Sequence, residues 1–182
     1  MKNKIPQFLV ENKNIGLIAL VVGMILLIPL AAMQFTDEVA WSLFDFATAG
    51  VLLFGTGLAF ELTTRKAQSL VQRAALGGAI GTTLLLVWAN LAVGIIGSED
   101  NPLNMLYLGV LAVVVLGSLW VRLQPRGMQR VLAATAAAQA VVMVVGLVVE
   151  KNFNPFENIG PNIFFIILWL ASALLFRWAG EK

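Results

Sequence analysis

Six apolar runs constrain this chain more than anything else in it: 15–33, 41–62, 74–97, 103–121, 131–149 and 161–176. A helix needs about 20 apolar residues to cross a hydrocarbon layer about 30 Å thick. None of the runs carries an acid or a base near its middle. They are continuously apolar rather than alternating, which selects helices over the strands of a β-barrel. Hydrophobic residues make up 59% of the chain and charged residues 12%, with a mean hydropathy of +0.88. A soluble domain carries about twice that share of charge, so the solvent these residues fit is lipid. The expected fold is an all-α integral membrane protein, a single domain over 1–182 with six transmembrane helices.

The links between runs are short, and their charges orient the chain. Residues 34–40, 98–102 and 150–160 fall on one side; the N-terminus, 63–73, 122–130 and the C-terminus fall on the other. Eleven of the twelve basic residues lie on the second side, and only Lys151 lies on the first. The positive-inside rule then predicts cytoplasmic termini. Seven of the ten acids sit at the outer ends: Asp37, Glu38, Asp45, Glu99, Asp100, Glu150 and Glu157. The first run is too long for a signal-peptide core and lacks a good cleavage pattern, so it reads as an uncleaved helix. Ahead of it, 1–14 reads as a cytoplasmic interfacial segment, with Phe8 and Leu9 dipping into lipid and Lys2, Lys4 and Lys13 on phosphates. Trp41, Trp120 and Trp178 take belt positions, whereas Trp88 and Trp169 lie at mid-membrane.

The even-numbered helices begin with capping signals. Ser42 precedes Asp45 in a capping-box pattern. Asn101-Pro102 and Gly160-Pro161 place a cap before a proline at the first helical position. Ser42, Asn101 and Gly160 are spaced by 59 residues each time. This divides the chain into three hairpins, about 11–66, 70–127 and 129–182. Duplication and coincidence of length both account for the spacing. A repeated two-span unit keeps its orientation, so a pseudo-threefold axis would run along the membrane normal. Mitochondrial carriers share three two-helix units, but their Pro-x-Asp/Glu-x-x-Lys/Arg signature is missing here.

Two stretches stand out by their wording. One is Met33-Gln34-Phe35-Thr36-Asp37-Glu38-Val39, followed by Trp41 and Asp45. The other runs from Trp88-Ala89-Asn90 through Ile95-Ile96-Gly97-Ser98-Glu99-Asp100-Asn101-Pro102 to Asn104. Together they resemble a family of small bacterial inner-membrane proteins without an assigned activity. The resemblance covers most of the chain. It implies a bacterial inner-membrane setting and no mechanism.

Asp37, Asp45, Glu99 and Asp100 are the candidate ligand or partner residues at the outer surface. Gathered by neighbouring hairpins, they would attract a cation or a cationic partner; taken singly, they cap helix N-termini, where the dipole is positive. Asn104 lies close by. Within the membrane, Asn90 needs a hydrogen-bond partner and so should face the bundle. With Trp88, and with Gln139 from the fifth helix, it would line a polar cavity; alone, it would fix packing. Gly77 and Gly81 form a GxxxG pattern, read first as internal packing and second as a dimer contact. A membrane-protein partner or a homo-oligomer stays open.

No metal or cofactor is expected. Cys and His are both absent, which removes thiolate chemistry and the usual haem and zinc ligands. Walker, Gly-x-Ser-x-Gly and His-Glu-x-x-His motifs are missing. The inner basic residues Arg65, Lys66, Arg73, Arg122, Arg126 and Arg130 fit anionic lipid headgroups and need no nucleic acid. The expectation is a non-enzymatic inner-membrane protein that acts through partners or lipids. The alternative is a small-solute or cation transporter with an acidic outer mouth.

Overall fold

A computed structural model describes residues 7–150 and 154–181, with side chains from Asn14 onward. Six α-helices and one 3-10 turn account for it, and no strand occurs among the described residues. The helices are α1 (Gln7–Ala32), α2 (Leu43–Thr64), α3 (Leu70–Ala92), α4 (Tyr107–Trp120), α5 (Pro125–Val149) and α6 (Pro155–Gly180). The 3-10 turn, Pro102–Leu106, runs directly into α4. Counting that turn with α4, all six are long and apolar enough to cross a membrane. Lys2, Lys4, Lys151 and Lys182, and the side chains of Phe8, Leu9 and Lys13, lie outside the described residues.

Several helix bounds differ from expectation, among them the end of α3, at Ala92 rather than Gly97, and the start of α5, at Pro125 rather than Val131. α1 already begins at Gln7, because helix formation continues through polar residues once an apolar run nucleates it. α6 begins at Pro155, not Pro161. Asn154 is its cap and accepts from the Phe156 N–H at 3.1 Å, with Pro155 at the first helical position. Gly160-Pro161 is therefore helix interior. The caps now fall 59 residues apart from Ser42 to Asn101 but 53 apart from Asn101 to Asn154. The other two caps form as their sequence suggests. Asp45 accepts from the Ser42 N–H and hydroxyl at 2.7 and 2.8 Å, and the Asp45 N–H returns to Ser42 Oγ at 3.3 Å. Asn101 accepts from the Leu103 N–H at 3.0 Å.

The chain divides into two compact units, residues 1–62 and 63–182. In the first, α1 and α2 meet where Ile18 packs on Gly57 and Leu26 on Gly50. Asn14 donates to Glu61 at 2.7 Å at one end of the pair. Two helices bury only one stripe of each, so most of this pair is apolar surface.

The second unit is a four-helix assembly. α6 packs on both α5 and α3, and α4 packs on α5. The buried residues repeat every three or four positions: Ala75, Ala79, Thr82 and Leu86 on α3; Leu132, Thr135, Gln139, Val142 and Gly146 on α5; Asn158, Asn162, Phe165, Trp169 and Ser172 on α6. That is the spacing of one helix face. Small residues set how closely the helices approach, though Gly81 of the expected pair is not one of them. A Cβ at Gly78 would sit 2.6 Å from Ser172 Oγ, whereas one at Gly81 meets nothing within 4 Å.

Candidate functional site

Loop 93–101, between α3 and the 3-10 turn, folds inward. Ile95 and Ile96 are buried with it, which exposes their backbone groups to an apolar interior where each must be paired. Asn104 does the pairing. Its Oδ1 accepts from the Ile95 N–H at 3.1 Å and the Ile96 N–H at 2.9 Å. Its Nδ2 donates to the Ile96 carbonyl at 3.3 Å and the Ser98 carbonyl at 2.7 Å. The amide is thereby saturated, so Asn104 is a clamp for the loop and has no capacity left for a ligand. Gly94, at φ +69°, lets the chain pass: a Cβ there would lie 2.7 Å from Asn104 Nδ2. Positive φ of this kind is open to glycine at little steric cost.

Asn90 joins the same clamp. Its Nδ2 donates to the Asn104 carbonyl at 3.3 Å, so two of the residues singled out in the sequence meet here. Trp88 lies half-buried on α3 two residues before Asn90, about half a turn round the helix and so on a different face. Gln139 belongs to a second cluster. Its Nε2 donates to Asn162 Oδ1 at 2.8 Å, and the Tyr107 hydroxyl donates to the same oxygen at 3.0 Å. Asn162 Nδ2 donates in turn to the Asn158 carbonyl at 2.9 Å and to Asn158 Oδ1 at 2.7 Å. Asn158 Nδ2 donates to the Met143 carbonyl at 3.3 Å. The two clusters meet beside Gly146, where a Cβ would lie 2.6 Å from Asn158 Nδ2 and 3.0 Å from Ile96 Cδ1.

Asn158 and Asn162 are the residues that sequence reasoning passed over. Starting the sixth helix at Pro161 leaves Asn158 in a loop and Asn162 at a frayed end. The Asn154-Pro155 cap was the available signal. It sets Asn158, Asn162, Phe165 and Trp169 on one face of a helix.

The outer acids do not form a described cluster. Asp37, Glu99 and Asp100 are exposed in turns, and Asp45 is engaged by Ser42. Asp37 and Asp45 belong to the first unit, Glu99 and Asp100 to the second. Among the described residues no group of three acids is placed to hold a metal ion.

The buried polar side chains of the second unit are amides, hydroxyls, one phenol and the indole of Trp169, and none of the described charged side chains is buried. Such a set offers directional hydrogen bonds without charge. Two atoms in it have no partner, Gln139 Oε1 and Trp169 Nε1. No family model, no curated protein and no solved structure matches the chain.

Proposed function

We propose that this is a non-enzymatic, multi-pass protein of the bacterial inner membrane that acts through contacts with lipids and with partner proteins. The observation that carries the reading is the chemistry of the buried groups. They are neutral, and nearly all are spent on one another or on backbone groups, which suits a packed scaffold rather than a reaction centre or an ion path. The apolar outside of the six helices supports insertion in a bilayer, and the eleven-to-one basic asymmetry supports cytoplasmic termini. Three hairpins about one membrane-normal axis remain part of the proposal for the α2 and α4 starts. The third hairpin joins it only with the shifted cap at Asn154.

Taken by itself, the α1–α2 pair leaves most of its apolar area uncovered, and we infer that lipid and partner proteins contact it. Photo-crosslinking groups at Leu20, Met24 and Ile28, all exposed on α1, should capture lipid and a discrete protein adduct in native membranes. Ca²⁺ and Mg²⁺ should leave the thermal stability of the purified protein unchanged. A divalent-ion shift that disappears in Asp45→Asn would replace this reading with the cation-transport one.

A further inference from the structure

The carboxamides of the four-helix unit are oriented by two backbone carbonyls. A carbonyl oxygen only accepts, so the Asn162 group that faces the Asn158 carbonyl must be Nδ2. By the same rule the Met143 carbonyl fixes Nδ2 of Asn158 toward itself. The two constraints agree, since Asn158 Oδ1 then meets Asn162 Nδ2 at 2.7 Å. Asn162 Oδ1 is left facing Tyr107 and Gln139, and both must donate to it. Gln139 has thus committed its Nε2, and turning its amide over would set two carbonyl-type oxygens against each other. Its Oε1 is fully buried and receives no donor.

A complementary atom waits on the facing helix. Trp169 Nε1 is also fully buried and has no acceptor. Gln139 meets α6 at Asn162, and Trp169 lies two turns further along that face, a rise of about 10 Å. Long side chains on a helix lean toward its N-terminus, which carries an indole at 169 back toward 162. The hydroxyls nearest in register have committed their protons, Thr135 to the Val131 carbonyl at 2.9 Å and Thr82 to the Gly78 carbonyl at 2.7 Å, so neither donates to Gln139 Oε1. Their oxygens keep lone pairs, but no oxygen accepts from Trp169 Nε1. Buried polar atoms in native proteins are paired with protein, water or ligand.

We propose that Gln139 Oε1 and Trp169 Nε1 are the two ends of an interior binding site for a small neutral molecule. The occupant presents an O–H or N–H to Gln139 and a lone pair to Trp169. It carries no net charge, because no buried charged side chain in this unit is described that would compensate one, and an uncompensated charge in an apolar interior is prohibitively costly. Water is the smallest molecule of this class, and an alcohol or a primary amide is the next.

The test uses the purified full-length chain in micelles with 15N-labelled tryptophan, the Trp169 N–H being assigned by its loss in Trp169→Phe. The expected result is a through-space cross-peak from the Trp169 Nε1–H. A cross-peak to water identifies water. One to carbon-bound protons of a co-purified molecule, released on denaturation and weighed by mass spectrometry, identifies a solute. Either supports the site. A Trp169 N–H with neither cross-peak overturns it. Gln139→Leu should abolish the cross-peak while the other indole N–H resonances keep their positions. A cross-peak that persists in this folded variant overturns the pairing of the two atoms. Gln139→Met is the substitute should the leucine variant fail to fold, and the wild-type spectrum decides the matter without either.

Discussion

Asn104 holds four hydrogen bonds with one amide, and its removal leaves two buried backbone N–H groups unpaired. Each costs about 1–3 kcal/mol, so Asn104→Ala should lower stability by about 2–6 kcal/mol. Equilibrium unfolding in mixed micelles reads this, and protease sensitivity should rise within 93–101. A loss too small to measure would mean that the loop holds itself. Gly146→Ala acts on the same region from the other side. The new methyl would press on Asn158 and Ile96, both buried and neither free to move, and overpacking of this kind costs about 1–3 kcal/mol. Gly81→Ala, which meets open space, is the matched control and should cost nothing. Asp45 separates charge from shape. In a capping box the asparagine variant keeps an acceptor, so Asp45→Asn should change stability little, whereas Asp45→Ala should lose about 1 kcal/mol.

Among the elements, the end of α4 stores strain that a single substitution would release. The Leu123 N–H reaches the Ser118 carbonyl at 3.2 Å and the Arg122 N–H reaches Leu119 at 3.1 Å. This is the Schellman pattern, with Arg122 at the position that favours glycine. Arg122 has φ +52° and Leu123 φ +60°. A left-handed conformation costs an L-residue about 1–2 kcal/mol. Arg122→Gly should therefore stabilise the protein by up to about 1 kcal/mol, allowing for the extra freedom of glycine in the unfolded chain. No gain would mean that the arginine's own contacts offset the strain. Local chemistry also marks what the sequence made legible. Apolar length sufficed to locate six helices, and Ser42-Asp45 and Asn101-Pro102 capped where expected. Pro161 misled, because proline is commoner at a helix start than inside one. That error hid the register of Asn158 and Asn162, and with it the Tyr107 and Gln139 cluster. No spacing rule links positions 107, 139 and 162; only the packing of α4, α5 and α6 brings them together.

For the whole molecule, the proposed orientation places loops on opposite faces of one membrane. Cysteines introduced at Gln34, Ser98 and Asn154 should react with an impermeant reagent in intact cells, and one at Gln68 should react only after the cells are opened. Labelling of Gln68 in intact cells would invert the arrangement. The neutrality of the four-helix interior reaches further than packing. A field across a bilayer does work on a protein in proportion to the charge it can displace, about 2.3 kcal/mol for one elementary charge through 100 mV. The buried side chains described between 63 and 182 offer no formal charge to displace. Energising the membrane should leave this interior where it is: electrically, the scaffold is an insulator rather than a sensor.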